Sequence, residues 1–238
     1  MNRAERVERI FADLRRRYGG SFRTEPGTAL AKVTAETEDP FKVLISTILS
    51  QRTRDEMTEI ASERLYAEYD TPQAIADAPI AALVELIRPV GFYRQKAAKI
   101  REVSRVLLEK YAGAVPDSYE ELVALPQVGP KTANCVLVYG FGKPAIPVDV
   151  HVAVISRRLG LAPEGADEEE VERSLARAVP RDLWLPLNEL FVRFGKDVCR
   201  TGFPRCDVCS FTRFCRYYRA RGRRARPLRA VRPSPRRG

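Results

Sequence analysis

Apolar residues recur along this chain every three or four positions. Val7, Ile10, Phe11, Leu14 and Tyr18 form one such set; Leu44, Ile45, Ile48 and Leu49, after Asp39-Pro40, form a second; Ile100, Val103, Val106 and Leu107 form a third. Each set lies along one face of a helix. No stretch alternates with period two over the length of a strand, so the pattern predicts an all-α fold. Breaks fall at Gly19-Gly20, Asp70-Thr71-Pro72, Gly91, Gly113 to Pro116 and Gly140 to Pro147. There is no internal repeat, and 238 residues fit one large or two small helical domains. No run approaches the length of a membrane span. The segment Met1 to Gly20 is charged and amphipathic, unlike a secretory leader. The expectation is a cytoplasmic protein that is neither secreted nor membrane-bound.

The net charge of +10 points to nucleic acid, but it is concentrated. Residues 216–238 hold ten arginines and no acid; the remainder has 31 Lys and Arg against 31 Asp and Glu. Prolines 227, 233 and 235 predict that this tail is disordered. It reads either as a salt-dependent phosphate binder or as a solvated extension.

Four of the five cysteines are spaced as Cys199-x6-Cys206-x2-Cys209-x5-Cys215. In a reducing compartment such a group points to metal rather than disulfides. Zinc sites usually pair two short knuckles, and here there is one, between Cys206 and Cys209. The uneven gaps suit a four-iron cube, each iron taking one thiolate, while zinc and no metal stay open. Cys135, within a helical segment, reads as a buried thiol.

The segment Leu125-Pro126-Gln127-Val128-Gly129-Pro130-Lys131-Thr132-Ala133 joins two helices through a tight turn. Pro130 suits the first turn of a helix, and the free amides there can seat a phosphate. Lys131 stands at that seat, where its plain role is a surface lysine touching phosphate. Further on, Asp149 precedes an apolar helical run, where its plain role is an N-cap. His151 is the sole histidine and reads as a packed helix residue.

Taken together, the hairpin Leu125 to Ala133, the segment Val148-Asp149-Val150-His151 and the four-cysteine spacing resemble the endonuclease III family of DNA glycosylases. The resemblance runs from about Phe41 to Cys215. It implies a two-lobed helix-hairpin-helix fold. In that fold, residues 1–32 would join a cluster domain (144–215, with the [4Fe-4S] loop at 199–215). A six-helix barrel domain would span 33–143 and carry the hairpin (118–141), and a disordered tail would follow (216–238). It also implies a [4Fe-4S] cluster on Cys199, Cys206, Cys209 and Cys215, and a monomer acting on damaged double-stranded DNA. In the resemblance, Lys131 matches the lysine that attacks C1′, and Asp149 matches the aspartate that assists base departure. The implied activity is a glycosylase with AP lyase chemistry on oxidised pyrimidines, working on a flipped nucleotide.

DNA contacts are implied for the hairpin residues Gln127, Val128, Gly129 and Thr132. Phe92, in Gly91-Phe92-Tyr93, matches a wedge in the base stack. Gln51 or Arg52, in Ser50-Gln51-Arg52-Thr53, would fill the void left by the flipped base. Arg200 and Arg205 would touch the backbone. The sequence departs from the family at Gln127, where the hairpin usually has glycine; a positive φ there would cost roughly 1 kcal/mol. The competing readings are a mismatch glycosylase acting on thymine or uracil opposite guanine, a non-catalytic DNA-binding module, and a redox-responsive DNA sensor.

Overall fold

The computed structural model describes residues 2–224 other than 20 and 22. Among the described residues there are thirteen α-helices and no strand. In order they are α1 (Arg3–Tyr18), α2 (Ala29–Thr37), α3 (Pro40–Ser50), α4 (Asp55–Glu68), α5 (Pro72–Asp77), α6 (Ile80–Leu86) and α7 (Tyr93–Tyr111). There follow α8 (Tyr119–Ala124), α9 (Pro130–Cys135), α10 (Val150–Leu159), α11 (Glu168–Ala178), α12 (Trp184–Asp197) and α13 (Arg216–Arg224). The helices start where short polar side chains can take up orphan amides. On α1 the Glu5 amide donates to Asn2 Oδ1 at 2.9 Å, and the Asn2 amide returns a bond to Glu5 Oε2 at 3.1 Å. Thr28, Asp39, Thr71, Ser118, Asp149 and Asp167 cap six others in the same way.

The apolar faces bury into two cores. The first collects α2 to α9, from Leu30 to Ala145, and contains the predicted stripes of Leu44, Ile45, Ile48 and Leu49 and of Ile100, Val103 and Leu107. Into the second go Val7, Ile10, Phe11 and Leu14 of α1, with residues from Ile146 to Cys215. The chain therefore crosses between the lobes twice, between α1 and α2 and again near Ala145 to Val148. The expected boundary after residue 32 needs correction, because it cuts α2, and Leu30 and Ala31 already belong to the first core. The first core gathers eight helices, not six.

Both crossings are held by α12. Glu189, 2 % exposed, accepts from the Gly27 amide at 2.7 Å and the Thr28 hydroxyl at 2.6 Å. Its neighbour Asn188 donates to the Pro147 carbonyl at 2.9 Å, two residues before Asp149. The Tyr139 hydroxyl donates to Asn188 Oδ1 at 2.9 Å. Tyr139 lies in a π-helical segment, Val136–Gly140, that continues α9; the extra residue per turn re-aims side chains in such segments. Lobe two thus fixes the path of both linkers by satisfied buried polar groups, which are costly to leave unpaired.

The expectation of a disordered tail from residue 216 is corrected for its first part: residues 216–224 form α13, which packs against α10. The rest of the tail lies outside the described residues. No helix among them is long and apolar enough to cross a membrane.

Candidate active site

Lys131 occupies the second position of α9, after the hairpin turn that ends at Gly129. The turn has its left-handed residue at Gln127, with φ 65°, so the strain foreseen for a non-glycine residue there is present. Gly129 is extended, at φ −92°. No protein atom lies within 4 Å of the position a Cβ would take on it, so its outer side is open. Gln127 is exposed, but Val128 and Thr132 are buried. Contact from those two to a ligand would therefore run through their backbone amides, the groups expected to seat a phosphate.

Lys131 lines a groove of about 840 Å³ between the lobes, together with Asn134, Leu137, Ile146, Val148 and Trp184. The groove is bridged where Asn134 donates to Glu172 of α11 at 3.0 Å; burial pushes the Glu172 carboxyl up from the ordinary glutamate value. Asp149 follows the groove residue Val148 and caps α10, its Oδ1 accepting from the Val152 amide at 2.8 Å. Among the described residues no hydrogen bond engages its second oxygen. The charges of Lys131 and Asp149 meet at one buried group, the Cys135 thiol one turn along α9. Burial raises its pKa most, Lys131 pulls it down and Asp149 pushes it up. The structure therefore brings an amine and a carboxylate from two helix starts to the same region. His151 packs over Gly195, where a Cβ would collide with its ring, as a packed helix residue should.

A second region faces outward on lobe one. Phe92 is 55 % exposed and holds left-handed backbone at the start of α7, with φ 56°. Arg52, also left-handed at φ 52°, sets its guanidinium 5.9 Å from the centroid of the Phe92 ring. Gln51 is half-buried, and its amide nitrogen donates to Thr132 Oγ1 at 3.4 Å, tying this turn to α9. Lys96 was not singled out from sequence. Its ammonium donates to the Leu49 and Gln51 carbonyls at 2.7 and 2.6 Å and to Thr53 Oγ1 at 2.9 Å. A lysine in the phase of Ala97 and Ile100 was the available signal.

The four clustered cysteines form one set of free thiols around a common cavity closed by Phe194, Val198 and Tyr217. Burial is the largest cause raising three of their pKa values, with the neighbouring thiolates adding to it; Cys209 is pushed up to about 11. Among the described residues no three His, Cys, Asp or Glu side chains converge as they would around a single ion. The loop is held by Arg158, also missed from sequence. It donates to the Cys199 carbonyl at 3.2 Å, to the Arg200 carbonyl at 2.7 Å and to the Thr201 carbonyl at 2.7 Å, and it lies 4.5 Å from the Tyr217 ring centroid. Arg200 is exposed, and Arg205 stands 3.8 Å from Asp197. Between them Phe203 is 88 % exposed, a residue that sequence reasoning passed over.

A two-lobed helical fold with a hairpin lysine at the inter-lobe groove defines a class of DNA repair proteins. The chain belongs to the HhH-GPD superfamily of base excision DNA repair proteins, whose model matches residues 45–181. Within that superfamily its relatives are endonucleases III. It is 53 % identical over 185 residues to endonuclease III of Thermotoga maritima, covering 78 % of this chain and 86 % of that one. It is 35 % identical to endonuclease III of Haemophilus influenzae, covering 91 % and 97 %. A solved structure of a trapped endonuclease III–DNA covalent intermediate superposes with a TM-score of 0.82 at 31 % identity, over 93 % of this chain and 99 % of that one. A thermostable thymine-DNA glycosylase superposes at 0.78 with 23 % identity, over 92 % and 97 %, and shares the fold.

Proposed function

We propose that this protein is a bifunctional DNA glycosylase and AP lyase of base excision repair. It would remove oxidised pyrimidines from duplex DNA and cleave 3′ to the resulting site. The observation that carries this reading is the placing of Lys131 and Asp149 at two helix starts, one from each lobe, beside the groove that Lys131 and Val148 line.

A base inside a duplex is out of reach, so the nucleotide must leave the stack. Phe92 enters the stack as an apolar wedge. Arg52, exposed and projecting, fills the void, while Gln51 is engaged with Thr132. The open face of Gly129 lets the hairpin amides approach a phosphate oxygen. Departure of the base breaks the bond from C1′ to nitrogen, and the electron pair leaves with the base. Asp149, with one oxygen anchored to its helix and the other unengaged, stabilises the positive charge that grows on the sugar. The Lys131 amine, in its neutral form, adds its lone pair to C1′, and its proton passes to Asp149. The C1′–O4′ bond then breaks, O4′ takes the proton from Asp149, and the nitrogen lone pair forms the C=N bond of the Schiff base. Loss of a C2′ proton then lets its electrons form a C2′–C3′ double bond as the C3′–O bond breaks and the phosphate leaves.

The four thiolates would hold a [4Fe-4S] cluster. The donor set fits: four cysteine thiols line one cavity, one for each iron. With one thiolate for each of four irons, none would be open to a substrate, and the cluster would brace the loop that carries Arg200 and Arg205 towards the DNA backbone. The protein works as a monomer in the cytoplasm, on chromosomal DNA. A duplex carrying one thymine glycol tests the reading. The expected product is a strand cut 3′ to the lesion and ending in an unsaturated aldehyde; base release with an uncut strand would contradict the lyase, and neither would contradict both activities.

A further inference from the structure

Resting on the function just given, we propose that Lys96 is a positioning residue that joins two turns of lobe one, so that Arg52 and Phe92 enter duplex DNA as one unit. The two turns are far apart in sequence and touch directly through the Gly91 amide on Thr53 Oγ1 and through Arg52 over Phe92.

An ammonium has three donors, and here each has an acceptor: the carbonyls of Leu49 and Gln51 and the hydroxyl of Thr53. Lys96 is only 3 % exposed, and among the described residues no carboxylate pairs with it. Burial, with the charge of Lys99, draws its pKa down to about 8. The two carbonyls stand at the C-terminal end of α3, where they lack partners within the helix. The Thr53 hydroxyl has a second visitor, the Gly91 amide, at 3.1 Å. A Cβ on Gly91 would stand 3.0 Å from the Arg52 carbonyl, so the two backbones are already at their closest approach. Lys96 lies on α7 one turn after Phe92, and its own amide donates to the Phe92 carbonyl at 3.0 Å. Lys96 and Thr53 thus form a hub with Arg52 on one side and Phe92 on the other. Both of those residues hold left-handed backbone, which is strained for a non-glycine residue and persists only where surroundings over-determine it.

Stability alone does not call for this arrangement. A buried cation is expensive, and an apolar side chain of similar volume often serves a core as well or better. What the ammonium supplies is fixed geometry: three directed bonds that set the distance and orientation of the wedge relative to the filler. A unit that opens a base stack needs that, because wedge and filler must arrive together at adjacent positions in the duplex.

The test compares Thr53→Val, Thr53→Ser and Lys96→Met with wild type on two substrates. One is a duplex carrying thymine glycol, with 2-aminopurine opposite it to report entry of the filler. The other is a single-stranded oligonucleotide with a preformed abasic site, which needs the lyase but presents no stacked duplex to open. Thr53→Val should cut base removal from the duplex at least about tenfold and abolish the fluorescence change. Lyase activity on the single strand should stay within about twofold, and Thr53→Ser should restore both readouts. Lys96→Met should behave like Thr53→Val; if it fails to fold, the threonine pair still decides. Equal losses on both substrates would overturn the proposal by showing a general structural role, and an unaltered duplex rate would overturn it by showing that the turns act independently. Wild type inactive on both substrates would remove the functional reading and the proposal with it.

Discussion

The guanidinium of Arg52 stands over the ring of Phe92, 5.9 Å from its centroid, although the two residues are forty positions apart. At an exposed site such a contact is worth about 0.5–1 kcal/mol, too little to explain two strained backbones. Its value lies in presenting a flat apolar face and a charged donor side by side. Phe92→Ala should lower base removal from duplex roughly ten- to a hundredfold, since unstacking a step costs a few kcal/mol that the wedge offsets. Because the ring is half out of the protein, the melting temperature should move by less than about 2 °C. A rate on duplex equal to wild type would contradict the wedge.

Gln127 holds φ 65° in the hairpin. Glycine adopts that conformation without the penalty of a Cβ, so Gln127→Gly should relieve roughly 1 kcal/mol, raising the melting temperature by about 2–4 °C. Calorimetry on the variant checks it. A lower melting temperature would mean that the glutamine side chain contributes more than its backbone costs.

Burial raises the pKa of Glu189 against the opposing bonds from Thr28 and Gly27 and the charges of Arg193 and Lys196. In the unfolded chain this carboxyl ionises near 4.5; in the fold it keeps its proton to higher pH. Raising pH through that window therefore favours unfolding. Its stabilising contribution is full below the unfolded pKa and declines as pH climbs through the folded one. Glu189→Gln should flatten the stability profile from about pH 4.5 upward relative to wild type, by roughly 2–4 °C for each kcal/mol removed. Parallel thermal profiles of the two proteins would contradict it.

Phe211 and Phe214, from the cysteine loop, pack into the second core, Phe211 with its ring 5.2 Å from that of Phe194. Loading the four thiols should therefore stabilise the lobe that carries Asp149. Elemental analysis of purified protein should give about four irons and four sulfides per chain. Cys209→Ser should lose the cluster's visible absorbance and lower the melting temperature by roughly 5 °C or more. One zinc per chain would contradict the assignment.

Much of this was legible in the sequence, for identifiable reasons. Period alone placed the stripes of α1, α3 and α7, because a helix face that must bury its residues has no freedom of spacing. Asp39-Pro40 and Asp149 marked helix starts, Asp149 through its own capping chemistry, whereas the Ser118 cap was not read. Lys96 and Glu189 were not legible: each is a charged residue in an apolar phase, and its partners are backbone atoms and hydroxyls from distant turns, which leave no charge pattern to read. Arg158 was hidden likewise, since it bonds carbonyls. The helix α13 was obscured by composition, because arginine and proline counts taken over 216–238 as a whole blended a helical start with a proline-containing remainder.

The most direct measurement of the central claim is borohydride trapping on duplex DNA containing thymine glycol, with Lys131→Ala beside wild type. The Schiff base formed at Lys131 should be reduced to a stable protein–DNA adduct in wild type and be absent from the variant, with cluster absorbance equal in both. Trapping that persists in Lys131→Ala, or that fails in cluster-loaded wild type even on a preformed abasic site, would contradict the account.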